Sequence, residues 1–185
     1  MRADLVERAG RGDREAFSQL AAPSFDQLYR MARIILRDDE RAADAVQDAL
    51  LSAWVHVRAI REPDRFDAWL RRLLVNACYS EARKAGRRRR MELQVTELDV
   101  PSTDDVQGAS AARDQVERGF RRLSVDQRAV LAVHHFLGLS DVDAAVVLNL
   151  PVGTYKSRLN RASTALRAAL DADARTPVRP LESIA

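Results

Sequence analysis

Apolar residues return every three or four positions through most of this chain, a period that calls for amphipathic helices. Ala42, Val46, Ala49, Leu50, Ala53 and Val57 keep it in one segment, and Phe66, Trp69, Leu70, Leu73, Leu74 and Ala77 in the next. Phe17, Leu20, Leu28, Met31 and Ile35 outline an earlier core face, interrupted at Pro23. Tyr155, Leu159, Ala162, Leu166 and Leu170 outline a late one. With only 7 Gly and 6 Pro in 185 residues, and with Leu, Ala and Arg abundant, the expected fold class is all-α. Helix starts are signalled at Asp13, at Asp38 and Asp39, and at Pro63 and Asp64. Ser124 with Gln127 and Ser140 with Asp143 read as capping boxes. Gly138 and Asn149 mark helix ends, and Pro151 opens the last helix.

Two helical halves flank a stretch of little periodicity that contains Pro101, Ser102, Thr103, Gly108 and Ser110. The expected organisation is a first domain over 1–91, a flexible acidic linker over 92–112, a second domain over 113–174 and a disordered tail over 175–185. The net charge of +3 is small, but it is laid out in blocks. Arg83, Lys84, Arg87, Arg88, Arg89 and Arg90 form a basic run, Glu92, Glu97, Asp99, Asp104 and Asp105 an acidic one, and Lys156, Arg158, Arg161 and Arg167 a second basic group. Two polyanion-facing surfaces joined by an acidic segment fit this layout, as do plainly solvated faces.

Several function classes find no footing. Cys78 is the single cysteine, so no internal disulfide can form, and a reducing cytoplasmic setting is expected. The N-terminus carries no signal-like apolar run, and no stretch approaches the ~20 apolar residues of a membrane span. His134 and His135 are neighbours that point about 100° apart on a helix, and His56 has no partner nearby in sequence, so no metal is implied. Phosphate-binding loops, dinucleotide fingerprints and nucleophile elbows are absent, and neither an enzyme nor a cofactor is expected. Cys78 falls beside a core position and is expected to be buried and inert.

Two short helices joined by a tight turn, the second polar and basic, describe a helix-turn-helix, although an ordinary helical hairpin has a similar pattern. A helix fits the major groove of duplex DNA and presents its polar side chains to base edges. Lys156, Arg158 and Arg161 could meet phosphate or guanine, Ser157 and Asn160 could read edges, and Gly153 and Thr154 would bring backbone amides to phosphate. The residues from Leu139 to Ala162, LSDVDAAVVLNLPVGTYKSRLNRA, resemble the fourth conserved region of bacterial sigma factors, particularly the small extracytoplasmic-function group. Asp143, Ala144, Asn149 and Tyr155 depart from that group's pattern. Asn149 replaces the usual turn glycine and suits a left-handed backbone, whereas Tyr155 enlarges an inward position.

The first half resembles the same group. Asp44, Ala45, Val46, Gln47, Asp48 and Ala49, followed by Trp54, are similar to its second region. The resemblance implies binding to core RNA polymerase, through the clamp helices of its largest subunit and its flap, with Asp44, Gln47 and Asp48 on the contact face. Phe66 to Leu70, then Asn76 and Arg83, resemble the stretch that handles the melted upstream promoter element, with Ser80 where the family usually has Asp. There the resemblance implies roles for Asn76, Tyr79, Arg83, Lys84 and Arg87 in holding an unstacked strand. Trp54 and Trp69 lie on apolar stripes and are expected in the core. The linker carboxylates Glu97, Asp99, Asp104 and Asp105 could mimic nucleic acid within the polymerase or serve as a plain tether.

The resemblance implies a sigma factor that directs promoter-specific initiation, reading the minus-thirty-five element with its last helix and the minus-ten element with its first half. It also implies an anti-sigma partner, promoter DNA as ligand and no membrane insertion. The rivals are a helix-turn-helix regulator that acts without being a polymerase subunit and a sigma-like decoy. The first would have no need of the segments from Asp44 to Trp54 and from Phe66 to Arg83. Against the second stand the basic run at Arg87 to Arg90 and the intact polar face of the last helix.

Overall fold

The computed structural model describes residues 2–93 and 111–174, and these are helical, with no strand among them. In the first half, α1 (Arg2–Gly10), α2 (Arg14–Ala21), α3 (Phe25–Leu36), α4 (Asp39–His56) and α5 (Phe66–Leu93) follow one another through short turns. The second half holds α6 (Ala111–Arg121), α7 (Val125–Leu131), α8 (Asp141–Leu148) and α9 (Val152–Ala174). The ends of the expected linker are thus helical, and the rest of it, with the expected tail, lies outside the described residues.

The punctuation works locally as its chemistry dictates. Asp13 accepts from the Ala16 amide and Asp38 from the Arg41 amide, each satisfying a first-turn N–H that has no carbonyl partner. At Ser124 both capping-box bonds form, Gln127 N–H to Ser124 Oγ at 3.2 Å and Ser124 N–H to Gln127 Oε1 at 2.9 Å. Ser140 caps α8 through its Oγ, but Asp143 turns its carboxylate to the Ser140 hydroxyl (2.6 Å) instead of reaching the Ser140 amide, the shorter side chain closing a tighter loop. Asn149 and Gly138 take left-handed backbones, φ 54° and 58°. Pro63 opens a short 3₁₀ turn ahead of α5, and α9 begins at Val152, one residue after Pro151.

In the first half α4 lies along α5 with α3 packed on both, burying Met31, Ile35, Val46, Phe66, Leu70 and Leu74. Each such side chain contributes about 1.5–3 kcal/mol of transfer free energy. In the second half α6, α7 and α8 pack against α9 around Ala162 and the fully buried Tyr155. The two halves are not apart: α3 meets α7 and α5 meets α8, so Ala129, Val130, Ala144, Ala145, Val147 and Leu148 join one apolar cluster with the first-half core.

Candidate nucleic-acid interface

The last helix presents its polar residues as expected from their spacing. Gly153, Lys156, Ser157, Asn160 and Arg161 are exposed, and Thr154 is half-buried. Ser157 donates its hydroxyl to the Thr154 carbonyl (2.9 Å) and Arg161 Nε donates to the Ser157 carbonyl (3.3 Å), so both side chains lie close along the helix. Lys156 Nζ stands 3.5 Å from Asp141 at the start of α8, which ties the two helices of the motif together at the surface. A Cβ at Gly153 would meet no atom of the chain within 4 Å, so internal packing does not require glycine and the space is open to an outside group. Arg158 differs from its neighbours: it is half-buried and close to Tyr79 of the first half.

Tyr155, the bulky departure from the family pattern, is wholly buried, and its hydroxyl pairs with His134 Nδ1 at 2.8 Å. His134 sits in a π turn, Ala132–Phe136, that continues α7 and widens the helix opposite Tyr155. His134 and His135 meet edge to face, ring centroids 4.7 Å apart, and no metal-ligand cluster occurs among the described residues.

On α5, Asn76, Tyr79, Arg83 and Arg87 recur at helical spacing on one side. Asn76, Arg83 and Arg87 are exposed, whereas Tyr79 is half-buried near the Asp126 carboxylate of α7. Burial foremost, with Asp126 adding, pushes the Tyr79 phenol up to about 12. Lys84 turns towards α4: its Nζ lies 2.6 Å from Glu81 and 3.6 Å from Asp48. Hydrogen bonding to Glu81 is the first cause of its raised pKa. Ser80 is half-buried. Cys78 is fully buried and desolvation pushes its thiol up to about 12.

Asp44, Gln47 and Asp48 are exposed together on α4. The structure extends their stripe with Leu51 and Val55, 54% and 68% exposed. Beside it opens an apolar groove of about 790 Å³ walled by Phe17, Phe25, Tyr29, Leu50, Leu51 and Trp54. Trp54 packs edge to face on Phe17 (5.3 Å) and Trp69 tilts against Phe66 (6.0 Å), both tryptophans half-buried. The groove was not anticipated from sequence. Its signal is the pair Leu50 and Leu51, which makes the apolar sector of α4 wider than a single core stripe.

Arg128 is the other residue that periodicity missed. It is 8% exposed, with Nε 2.6 Å from the Ile35 carbonyl and one terminal nitrogen 2.6 Å from the Leu123 carbonyl. Desolvation first, then the nearby Arg37 charge, pulls its pKa down to about 10, which leaves it protonated at neutral pH. The available hint was its place three after Val125 and directly before the apolar run Ala129 to Leu131.

Residues 24–88 match Sigma-70 region 2 and residues 113–166 match Sigma-70 region 4. The chain is 37% identical to the ECF RNA polymerase sigma factor SigM of Mycobacterium tuberculosis, over 89% of this chain and 82% of that one. It is 31% identical to the RNA polymerase sigma-H factor of Pseudomonas aeruginosa, over 90% and 92%. Among solved structures it resembles the sigma factor RpoE in complex with the anti-sigma factor NepR from Bartonella quintana, with a TM-score of 0.68 and 29% identity over 85% of this chain and 98% of that one. It also resembles CnrH in complex with the cytosolic domain of CnrY, with a TM-score of 0.63 and 30% identity over 91% and 96%.

Proposed function

The chain belongs to the sigma-70 family, within its extracytoplasmic-function group, and from that membership we propose a division of labour between its two halves. As a member it is a non-catalytic subunit that binds core RNA polymerase and promoter DNA to start transcription. The finer reading assigns the minus-thirty-five duplex element to α9 and the melted minus-ten element to α5. The observation that carries it is the pair of exposed polar stripes: Gly153, Lys156, Ser157, Asn160 and Arg161 on one, and Asn76, Arg83 and Arg87 on the other. The first can enter a major groove, and the second can follow a strand backbone with cations.

Asp44, Gln47 and Asp48, extended by Leu51 and Val55, supply the polymerase-binding face. An acidic rim beside exposed apolar side chains suits a basic helical partner such as the clamp helices, because charge orients the encounter and apolar burial holds it. Anti-sigma control is carried over from the solved complex of a relative with an anti-sigma factor, and a cytoplasmic location and contact with the flap belong to the same proposal through the resemblance to the family. The domain limits stay as read from sequence, 1–91 and 113–174 about the linker.

The test is transcription by purified core polymerase, with and without the protein, on a mixed promoter library. Discrete new start sites that need the protein are expected, and their aligned upstream sequences should contain two separated motifs. Sites lacking an upstream duplex motif would refute the role given to α9. No new transcription, together with tight duplex binding by the protein alone, would favour a free-standing regulator.

A further inference from the structure

We propose that Glu81 is a positioning residue: its buried carboxylate holds the Lys84 ammonium against α4 and off the promoter strand, so that Arg83 and Arg87 carry the strand contact. Lys84 is thereby removed from the contacts that the family resemblance implies. The rest of the assignment of α5 to the melted element, on which the role of Glu81 rests, is kept.

Among the described residues Glu81 is the one buried carboxylate, 7% exposed. It accepts from Lys84 Nζ at 2.6 Å, and no other side chain among the described residues meets it with a hydrogen bond or ion pair. A carboxylate taken out of water is costly unless it keeps a charged partner. Drawing Lys84 away to a phosphate would leave that charge buried and alone, so the pair resists the exchange. Lys84 Nζ also stands 3.6 Å from Asp48, which turns the side chain across to α4. Both acids raise the Lys84 pKa, Glu81 foremost, as expected of a cation held from two sides.

The place of the acid along the helix decides which cation is held. Residues three and four apart share a helix face. A carboxylate at position 80, where the family usually has Asp, would face Arg83 and Lys84 alike. This chain has Ser80 there and its acid one residue later, turned about 100° around the axis. From position 81 the acid faces Lys84 and Ala85, and Arg83 falls outside that face. Accordingly Arg83 and Arg87 are exposed and make no hydrogen bond or ion pair among the described residues. They are four apart and form one row, and Lys84 lies three before Arg87. Without Glu81, Lys84 would be free to join that row.

The test reads the salt dependence of binding, because each phosphate of a single strand met by a cation adds about 0.7 to the slope of log affinity against log salt. Holoenzyme is assembled from core polymerase and the full chain. Its ligand is a labelled promoter fragment taken from the start sites of the transcription test, with the minus-ten element left unpaired. Arg83→Met and Arg87→Met should each flatten the slope by about 0.7, and Lys84→Met should leave it as it is. Glu81→Gln and Glu81→Leu should each steepen it by about 0.7, since the released ammonium gains a phosphate. The two differ in the polarity placed in the buried site, so a shared effect comes from the lost charge and not from disturbed packing. Adding Lys84→Met to either should restore the original slope. A Lys84→Met change that flattens the slope by itself, Glu81 variants that leave it unchanged, or double variants that stay steep would each overturn the role of Glu81 alone. No effect from either arginine change would overturn the assignment of α5 to the strand, and the role of Glu81 with it.

Discussion

The Tyr155 hydroxyl lies 2.8 Å from His134 Nδ1, and through that pair the first turn of α9 is keyed to the π turn that continues α7. The large ring fills space that a smaller side chain would leave empty, and its one polar atom is satisfied. Tyr155→Phe should therefore cost about 0.5–1.5 kcal/mol of stability. Tyr155→Val removes the ring as well and should cost about 3 kcal/mol or more, despite restoring the residue common in the family. Urea unfolding of the two variants checks both values. Equal costs would mean that the hydrogen bond, and not the packing, carries the pair.

Gly153 separates stability from function. Nothing in the chain occupies the space where a Cβ would stand, so Gly153→Ala should leave stability unchanged or raise it by up to about 1 kcal/mol. If backbone amides at the start of α9 approach a phosphate, the same change should weaken promoter binding by the holoenzyme. Arg161→Ala should weaken it by roughly 1–3 kcal/mol if a base contact is lost. Neither should alter affinity for core polymerase, as a pull-down with polymerase in the absence of DNA can establish.

Polymerase affinity should depend instead on the exposed stripe of α4. Asp44→Arg and Leu51→Asp are each expected to weaken it by at least tenfold while leaving the fold intact, because both side chains are exposed. Asp48→Arg is expected to do the same but is less clean, since it also places a cation against Lys84. Titration of labelled protein with core polymerase measures the losses, and unchanged affinity in all three would remove α4 as the docking helix.

Alkali should destabilise the protein through two buried groups. Burial raises the Cys78 thiol from 9.0 and the Tyr79 phenol from 10.0 to about 12. Both pKa values are raised on folding, so their stabilisation is fully present below about pH 9 and is lost as the pH climbs through about 12. Unfolding midpoints measured across that window should fall, and Cys78→Ala should show a shallower fall than the unsubstituted protein. In the native state at neutral pH, Cys78 should resist thiol reagents until denaturant exposes it.

Local signals in the chain were strong because they depend on neighbours a few residues away. Asp13, Asp38 and Ser124 cap the helices that their positions indicate, and Asn149 takes the left-handed turn that its amide tolerates. Helical period likewise sorted Leu28, Val46, Phe66 and Ala162 into the core, and it placed Lys156, Asn160 and Arg161 on the surface. Motif order was enough to indicate the family. What periodicity could not supply is which apolar face meets which across long sequence separation. Arg128 is buried against a carbonyl 93 residues away, and Tyr79 is half-buried near Asp126 of the other half. Nothing near either residue in sequence encodes those partners. A helix face that reads as solvent-exposed from its own spacing can be covered by another half of the chain, and only the packing of α3 on α7 and α5 on α8 decides that it is.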